Sequence, residues 1–139
     1  MKLSAKATFR PRGDFGQFVP AKISPAVVAS VTAAAQLIQT TAQGLCPVDT
    51  GALRDSIGVT IDDSGLTVVG TVAPTEPYAG YVEFGTGIRG AASAGAGGGP
   101  YSETWAGMPA QPYMRPALDE TKPAILELFR SQIATAIQS

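Results

Sequence analysis

The chain has 139 residues, of which 45% are hydrophobic and only 15% charged, with 16 glycines and 11 prolines. Wholly disordered chains are poor in apolar residues and rich in charge, so this balance predicts one globular domain spanning residues 1–139, its surface partly covered by partners. Ten Lys and Arg against eleven Asp and Glu give a net charge of -1. Counterion release from phosphates supplies most affinity for a duplex, so a chain without basic excess meets DNA only as a bystander.

Histidine is absent and cysteine occurs once, at Cys46. No Ser-His-Asp, Cys-His or His-metal constellation can form within one chain, and no metal or cofactor is expected. A single cysteine makes no internal disulfide and fits a reducing compartment. Nothing near Cys46 in sequence would depress its pKa, so it reads as a small buried apolar residue. Neither a signal peptide nor a membrane span of ~20 apolar residues is visible, which predicts a cytosolic protein with no membrane partner.

Residues 1–23 alternate weakly at Leu3, Ala5, Ala7 and Phe9, then break at Pro11 and Gly13. This predicts a short strand followed by an arm, with Phe15 and Phe18 as anchors. Asp14-Phe15-Gly16 matches a kinase metal-binding triplet, but no other kinase motif accompanies it. At Ser24 the pattern turns helical, with Ser24 as N-cap and Pro25 in the first turn. Val27, Val31, Ala34, Ile38, Ala42 and Leu45 step by three or four and mark one buried face. Gly44 is the expected C-cap, and Pro47 forbids continuation.

Asp49 to Arg54 reads as a capped turn feeding a strand. Ile57, Val59 and Ile61 alternate, Asp62 to Gly65 is a turn, and Leu66 to Val72 returns, which makes a β-hairpin. Tyr78 to Phe84 is a compact apolar and aromatic segment of ambiguous type enclosing one carboxylate, Glu83. Gly85 to Gly107 holds eight glycines with small alanines and serines. It carries no apolar period and is expected to be a flexible loop, ordered only on assembly. Beyond it a helical tail starts near Pro116, with Ile125, Leu128, Phe129, Ile133, Ala136 and Ile137 on one face. Pro123 lies too deep for a first turn, so a kink or restart near Thr121 is expected.

Three motifs invite a chemical reading. Val48-Asp49-Thr50-Gly51-Ala52 resembles the active-site loop of retroviral-type aspartic proteases, in which a homodimer pairs two aspartates around a water. That fold needs a strand running into the aspartate, whereas Cys46-Pro47 follows a long helix; Asp49 or Thr50 as a turn cap is the better reading. The glycine-rich stretch lacks the Gly-Lys-Ser/Thr ending of a phosphate loop. Tyr78, Tyr81, Phe84, Tyr101, Trp105 and Tyr113 gather around the loop ends, where they suit packing and interface anchoring better than base stacking. Glu83 sits in a segment too apolar to leave it wet, and Arg54 and Arg115 are its expected ion-pair partners.

Three ordered blocks carry a family pattern: Pro47-Val48-Asp49-Thr50-Gly51-Ala52-Leu53-Arg54-Asp55-Ser56-Ile57, then Tyr78-Ala79-Gly80-Tyr81-Val82-Glu83-Phe84-Gly85-Thr86, then Met108 to Leu118. Together they resemble the minor tail or neck proteins of long-tailed bacteriophages, the head–tail joining and tail-completion family typified by HK-type lambdoid phages. Tyr113 stands where phenylalanine is commoner, and the loop after Thr86 is longer and richer in Gly and Ala.

The resemblance implies an α+β fold, a small antiparallel sheet packed by a long N-terminal-half helix and a C-terminal helix. It also implies a non-enzymatic ring, with six subunits favoured, between the head connector and the tail tube around the DNA channel. The implied partners are further copies of the chain, an adjacent connector or head-completion ring, and tail-tube or tail-terminator proteins. DNA is passing cargo in the lumen. The protein would reside in the virion, and in the host cytoplasm during assembly. Asp49, Thr50, Gly51, Arg54, Glu83, Gly85, Tyr101, Trp105, Met108 and Arg115 are the expected structural and interface residues. The alternatives are the aspartic-protease-like homodimer using Asp49 and a generic cytosolic adaptor domain.

Overall fold

The computed structural model describes the backbone of residues 5–9, 20–64, 67–86 and 107–138, with side chains from residue 25 onward except 136 and 137. Strand β1 (Ala5–Phe9) is followed by helix α1 (Pro20–Leu45), the single turn α2 (Ala52–Asp55) and strands β2 (Ile57–Asp62) and β3 (Val68–Pro74). Helices α3 (Ala79–Phe84) and α4 (Met114–Gln138) complete the described elements. The architecture is the expected α+β. The expectations for arm residues 10–19 and loop residues 87–106, with Tyr101 and Trp105, fall outside the described residues, whereas residues 20–23, expected in the arm, already belong to helix α1.

β3 is the central strand of the sheet, in the order β1-β3-β2 and antiparallel throughout. The β2–β3 hairpin keeps the expected alternation: Ile57, Val68 and Val72 are buried, and Asp62 and Asp63 are exposed at its turn. There the Asp62 carboxylate accepts the Ser64 backbone N–H at 3.1 Å and its hydroxyl at 2.6 Å. These bonds hold the Asp62 carboxyl below its ordinary range.

α1 covers the sheet on one side and lies along α4 on the other. Val27, Val31, Ala34, Ile38 and Ala42 form its buried face, as the spacing predicts. Leu45 is the exception, at 39% exposure; the buried stripe passes instead to Cys46. Close approach to the sheet depends on Gly70, where a Cβ would stand 2.9 Å from Val31 Cγ1. Sheet, α1, α3 and the start of α4 share one core built on Ile38, Ile57, Val72, Ala79, Tyr113 and Ala117.

The helix ends differ from expectation. α1 begins at Pro20, so Ser24 is not its N-cap and Pro25 lies inside the helix. Pro20 suits a first turn as well as Pro25 does, and the ring at Pro25 removes only the one bond to the carbonyl four residues back. Gly44 is not a left-handed cap, since positive φ occurs only at Gly51, Gly85 and Gly107 among the described residues. The Cys46 N–H still bonds the Ala42 carbonyl at 2.9 Å, and Pro47 ends the run. α4 starts two residues before Pro116 and passes Pro123 without a restart. The Thr121 hydroxyl donates to the Ala117 carbonyl at 2.7 Å in the turn before that proline.

Candidate functional site

The three blocks lie far apart in sequence, and the chain brings them to one place. The first leaves α1 at Cys46 and is held by two glutamines of that helix. Gln39 Nε2 donates to the Ile57 carbonyl at 2.7 Å, and Gln43 Nε2 to the Arg54 carbonyl at 3.4 Å. Gly51 turns the chain into α2 at φ 88°, a conformation that strains any residue with a Cβ. Thr50 Oγ1 accepts the Ala52 N–H at 3.3 Å, so the capping contact belongs to Thr50.

Asp49 caps nothing. It is exposed, with no hydrogen bond or ion pair among the described residues, which corrects the expectation that it shares the capping role. No strand delivers it, because residues 46–51 are irregular and follow a helix. The strand-borne aspartate of the protease alternative is therefore missing.

The second block forms α3, closed by Gly85 at φ 72°, whose N–H bonds the Tyr81 carbonyl at 2.8 Å. The third block returns alongside it. Thr86 and Met108 exchange a reciprocal pair: the Thr86 N–H donates to the Met108 carbonyl at 2.8 Å, and the Met108 N–H to Thr86 Oγ1 at 3.0 Å. The Gln111 N–H then donates to the Val82 carbonyl at 2.8 Å. Tyr113, fully buried, donates its hydroxyl to the Ala79 carbonyl at 3.4 Å. That partner satisfies the buried phenol.

Glu83 joins the second block to α4. Its carboxylate, 3% exposed, accepts the backbone N–H groups of Tyr113 at 2.7 Å, Met114 at 3.0 Å and Arg115 at 3.0 Å. A helix start leaves its first N–H groups without partners. Here Glu83 takes three, Pro116 has none to offer, and the Ala117 N–H reaches the Tyr113 carbonyl at 3.3 Å. Every donor at this helix start is accounted for, and an anion sits at its positive end.

The expected ion pair of Glu83 with Arg54 or Arg115 is thus absent. Arg54 Nε pairs with its neighbour Asp55 at 2.7 Å on the surface, holding that carboxyl below its ordinary range. Arg115 contributes its backbone N–H to Glu83 while its side chain is exposed. The apolar setting of Glu83 was the right signal, but backbone donors thirty residues away satisfy it. No side-chain pattern announces those.

Around these contacts the blocks enclose a surface cleft of about 410 Å³. Pro47, Val48, Tyr78, Val82 and Met108 give it apolar walls, and Asp49, Thr50 and Gln111 supply polar edges. Val48 is 58% exposed and Tyr78 40%. Burial first, and then the charges of Glu76, Cys46 and Asp49, push the Tyr78 phenol above its ordinary pKa. Cys46 is buried behind this wall, its thiol pushed up by the same loss of water. Of the residues expected at an interface, Asp49, Thr50, Gly51 and Met108 line this cleft, and Val48, Val82 and Gln111, which were not among those expected, line it with them. An apolar residue in a block rich in turn signals was the available clue for Val48.

Among the described residues no group of three or more His, Cys, Asp or Glu could hold a metal ion, and no helix is long and apolar enough to cross a membrane. No curated protein and no solved structure matches the chain. A family model does match, over residues 15–85, with the description "Bacteriophage HK97-gp10, putative tail-component". The match takes in the first block, the hairpin and nearly all of the second block, just over half of the sequence, and the chain belongs to this HK97-gp10-like family of bacteriophage tail components.

Proposed function

We propose that the protein is a ring-forming structural subunit of the phage neck or tail terminus, acting by assembly and without catalysis. The observation that carries this reading is the convergence of the three blocks on one half-apolar cleft. Val48 and Tyr78 stand exposed there although the chain has a well-filled core elsewhere. Exposed large apolar residues grouped at one site mark a surface that another protein covers. Membership in a tail-component family points to which kind of protein that is.

In this reading copies of the chain close a ring between the head connector and the tail tube. One face meets a connector or head-completion ring, and the other meets tube or terminator subunits. The ring assembles in the host cytoplasm and ends in the virion. A net charge of -1 suits a wall past which DNA must slide without sticking.

The direct test is negative-stain microscopy of purified protein, alone and mixed with isolated tail tubes. Rings, or density capping one end of the tubes, are the expected result. Monomers that leave tubes undecorated would overturn the reading.

A further inference from the structure

The cleft has one charged residue in its lining, Asp49, which makes its polar edge negative. Asp49 lines it without a partner, Glu76 lies two residues from Tyr78, and both charges act on the Tyr78 phenol. No Lys or Arg lines it, and the nearby Arg54 is already held by Asp55. A group that fills this cleft should therefore offer an apolar side chain flanked by positive charge.

The outer side of α4 presents that pattern. Leu118, Lys122, Leu126 and Arg130 follow one another at four-residue steps, so they form one ridge of the helix, about 18 Å long at 1.5 Å per residue. All four are exposed, Leu126 at 53% and Leu118 at 39%. Arg130 has only a loose surface contact, 3.9 Å from Glu127. An unpartnered leucine between two cations is therefore available on each copy, on an element that does not line the cleft.

We infer that the cleft of one subunit receives the Leu126 ridge of α4 from a second copy, with Lys122 and Arg130 flanking the leucine and meeting Asp49 and Glu76. This rests on the ring reading and names its contact. The two surfaces are different patches of one chain, so the contact is head-to-tail, and repeated head-to-tail contacts close into a ring when the rotation per subunit allows. The small net charge adds little long-range repulsion between copies. Leucine in the apolar cleft supplies the central anchor, and the charge pairs set direction and register.

Charge reversal with rescue tests this on the full chain, by sedimentation velocity and negative stain, with circular dichroism melts as the folding control. Leu126→Asp should abolish self-association while leaving the melt intact. Asp49→Lys or Lys122→Glu should weaken it on the order of tenfold each, with the effects of the two changes combined well below their product. Assembly that is indifferent to all three variants would overturn this contact while leaving the ring reading in place. Weakening without rescue, in any pairing of Asp49 or Glu76 with Lys122 or Arg130, would show that the two faces do not meet each other and overturn this contact. A species that obeys the rescue pattern but stops at a dimer would keep the contact and remove the ring. Wild-type protein that stays monomeric at every concentration and on tail tubes would remove both.

Discussion

Glu83 and Asp49 are both carboxylates set among apolar residues in the family blocks, and the fold uses them in opposite ways. Glu83 is 3% exposed and spends both oxygens on three backbone donors at the start of α4. Asp49 stands at the lip of a cleft with nothing to hold. One is an internal fastening between segments thirty residues apart; the other is an exposed charge without a partner among the described residues. Burial and backbone geometry separate them, not residue type or neighbouring sequence.

The largest expected effect follows from removing the fastening. Glu83→Ala leaves three N–H groups at the helix start without acceptors, each costing roughly 1–3 kcal/mol when buried. A loss of about 3–6 kcal/mol in urea melts is expected, a large share of the 5–15 kcal/mol typical of a domain. Glu83→Gln keeps one acceptor oxygen and should cost less, about 2–4 kcal/mol. Arg115→Met should change stability by no more than about 0.5 kcal/mol, as for other surface substitutions. If Arg115→Met proved as damaging as Glu83→Gln, the backbone cap would have to share its role with an ion pair.

That difference also marks what the sequence could tell. The 3.6-residue step in α1 and the alternation across the hairpin are local and were legible, as was the need of Glu83 for partners. Which groups partner it was not legible, since main-chain donors look alike at every position. Helix ends misled for a related reason. Pro20 and Pro25 both suit a first turn, and Gly44 and Cys46 both stand before Pro47. Choosing between them depends on tertiary packing. Asp49 read as a cap because Asp-Thr-Gly carries turn chemistry; the hydroxyl of Thr50 made the contact instead.

A second effect appears at high pH, where two buried groups of the core, Tyr113 and Cys46, titrate. Tyr113 and Cys46 both have their pKa pushed up, chiefly by burial. From the ordinary values of 10.0 and 9.0 upward, the unfolded chain gives up these protons while the folded chain keeps them. Stability is therefore full below about pH 9 and falls as pH rises, by at most ~1.4 kcal/mol per pH unit per group. Melts from pH 8 to 11 should show this fall, and Tyr113→Phe should flatten its upper part. At pH 7 the same variant should cost under about 1.5 kcal/mol, because it removes one long hydrogen bond and little volume. An unchanged alkaline slope in Tyr113→Phe would mean that another group controls it.

Next in size is the turn that presents Asp49. Gly51 at φ 88° has its would-be Cβ 3.1 Å from the Arg54 guanidinium, which can swing away. The backbone cannot, so Gly51→Ala should cost about 1–2 kcal/mol from the left-handed conformation alone. Asparagine tolerates that region better, and Gly51→Asn should cost less than Gly51→Ala. The reverse order would place the strain in side-chain crowding instead of φ.

The smallest effect on stability is expected at Asp49, and it sharpens the contrast most. An exposed carboxylate without a hydrogen bond contributes nothing that alanine would forfeit, so Asp49→Ala should leave the melt within about 0.5 kcal/mol of wild type. Asp49→Asn should be equally silent, although a capping aspartate would have lost about 0.5–2 kcal/mol on going to alanine. Self-association should respond where folding does not if the charge at the cleft meets a cation in the proposed contact between copies. Glu83 variants should show the reverse order, losing the melt first and assembly only as a consequence. Measuring both quantities on both residues therefore tests the division directly. A stability loss of 1 kcal/mol or more in Asp49→Ala, with assembly unaffected, would make Asp49 a structural residue like Glu83.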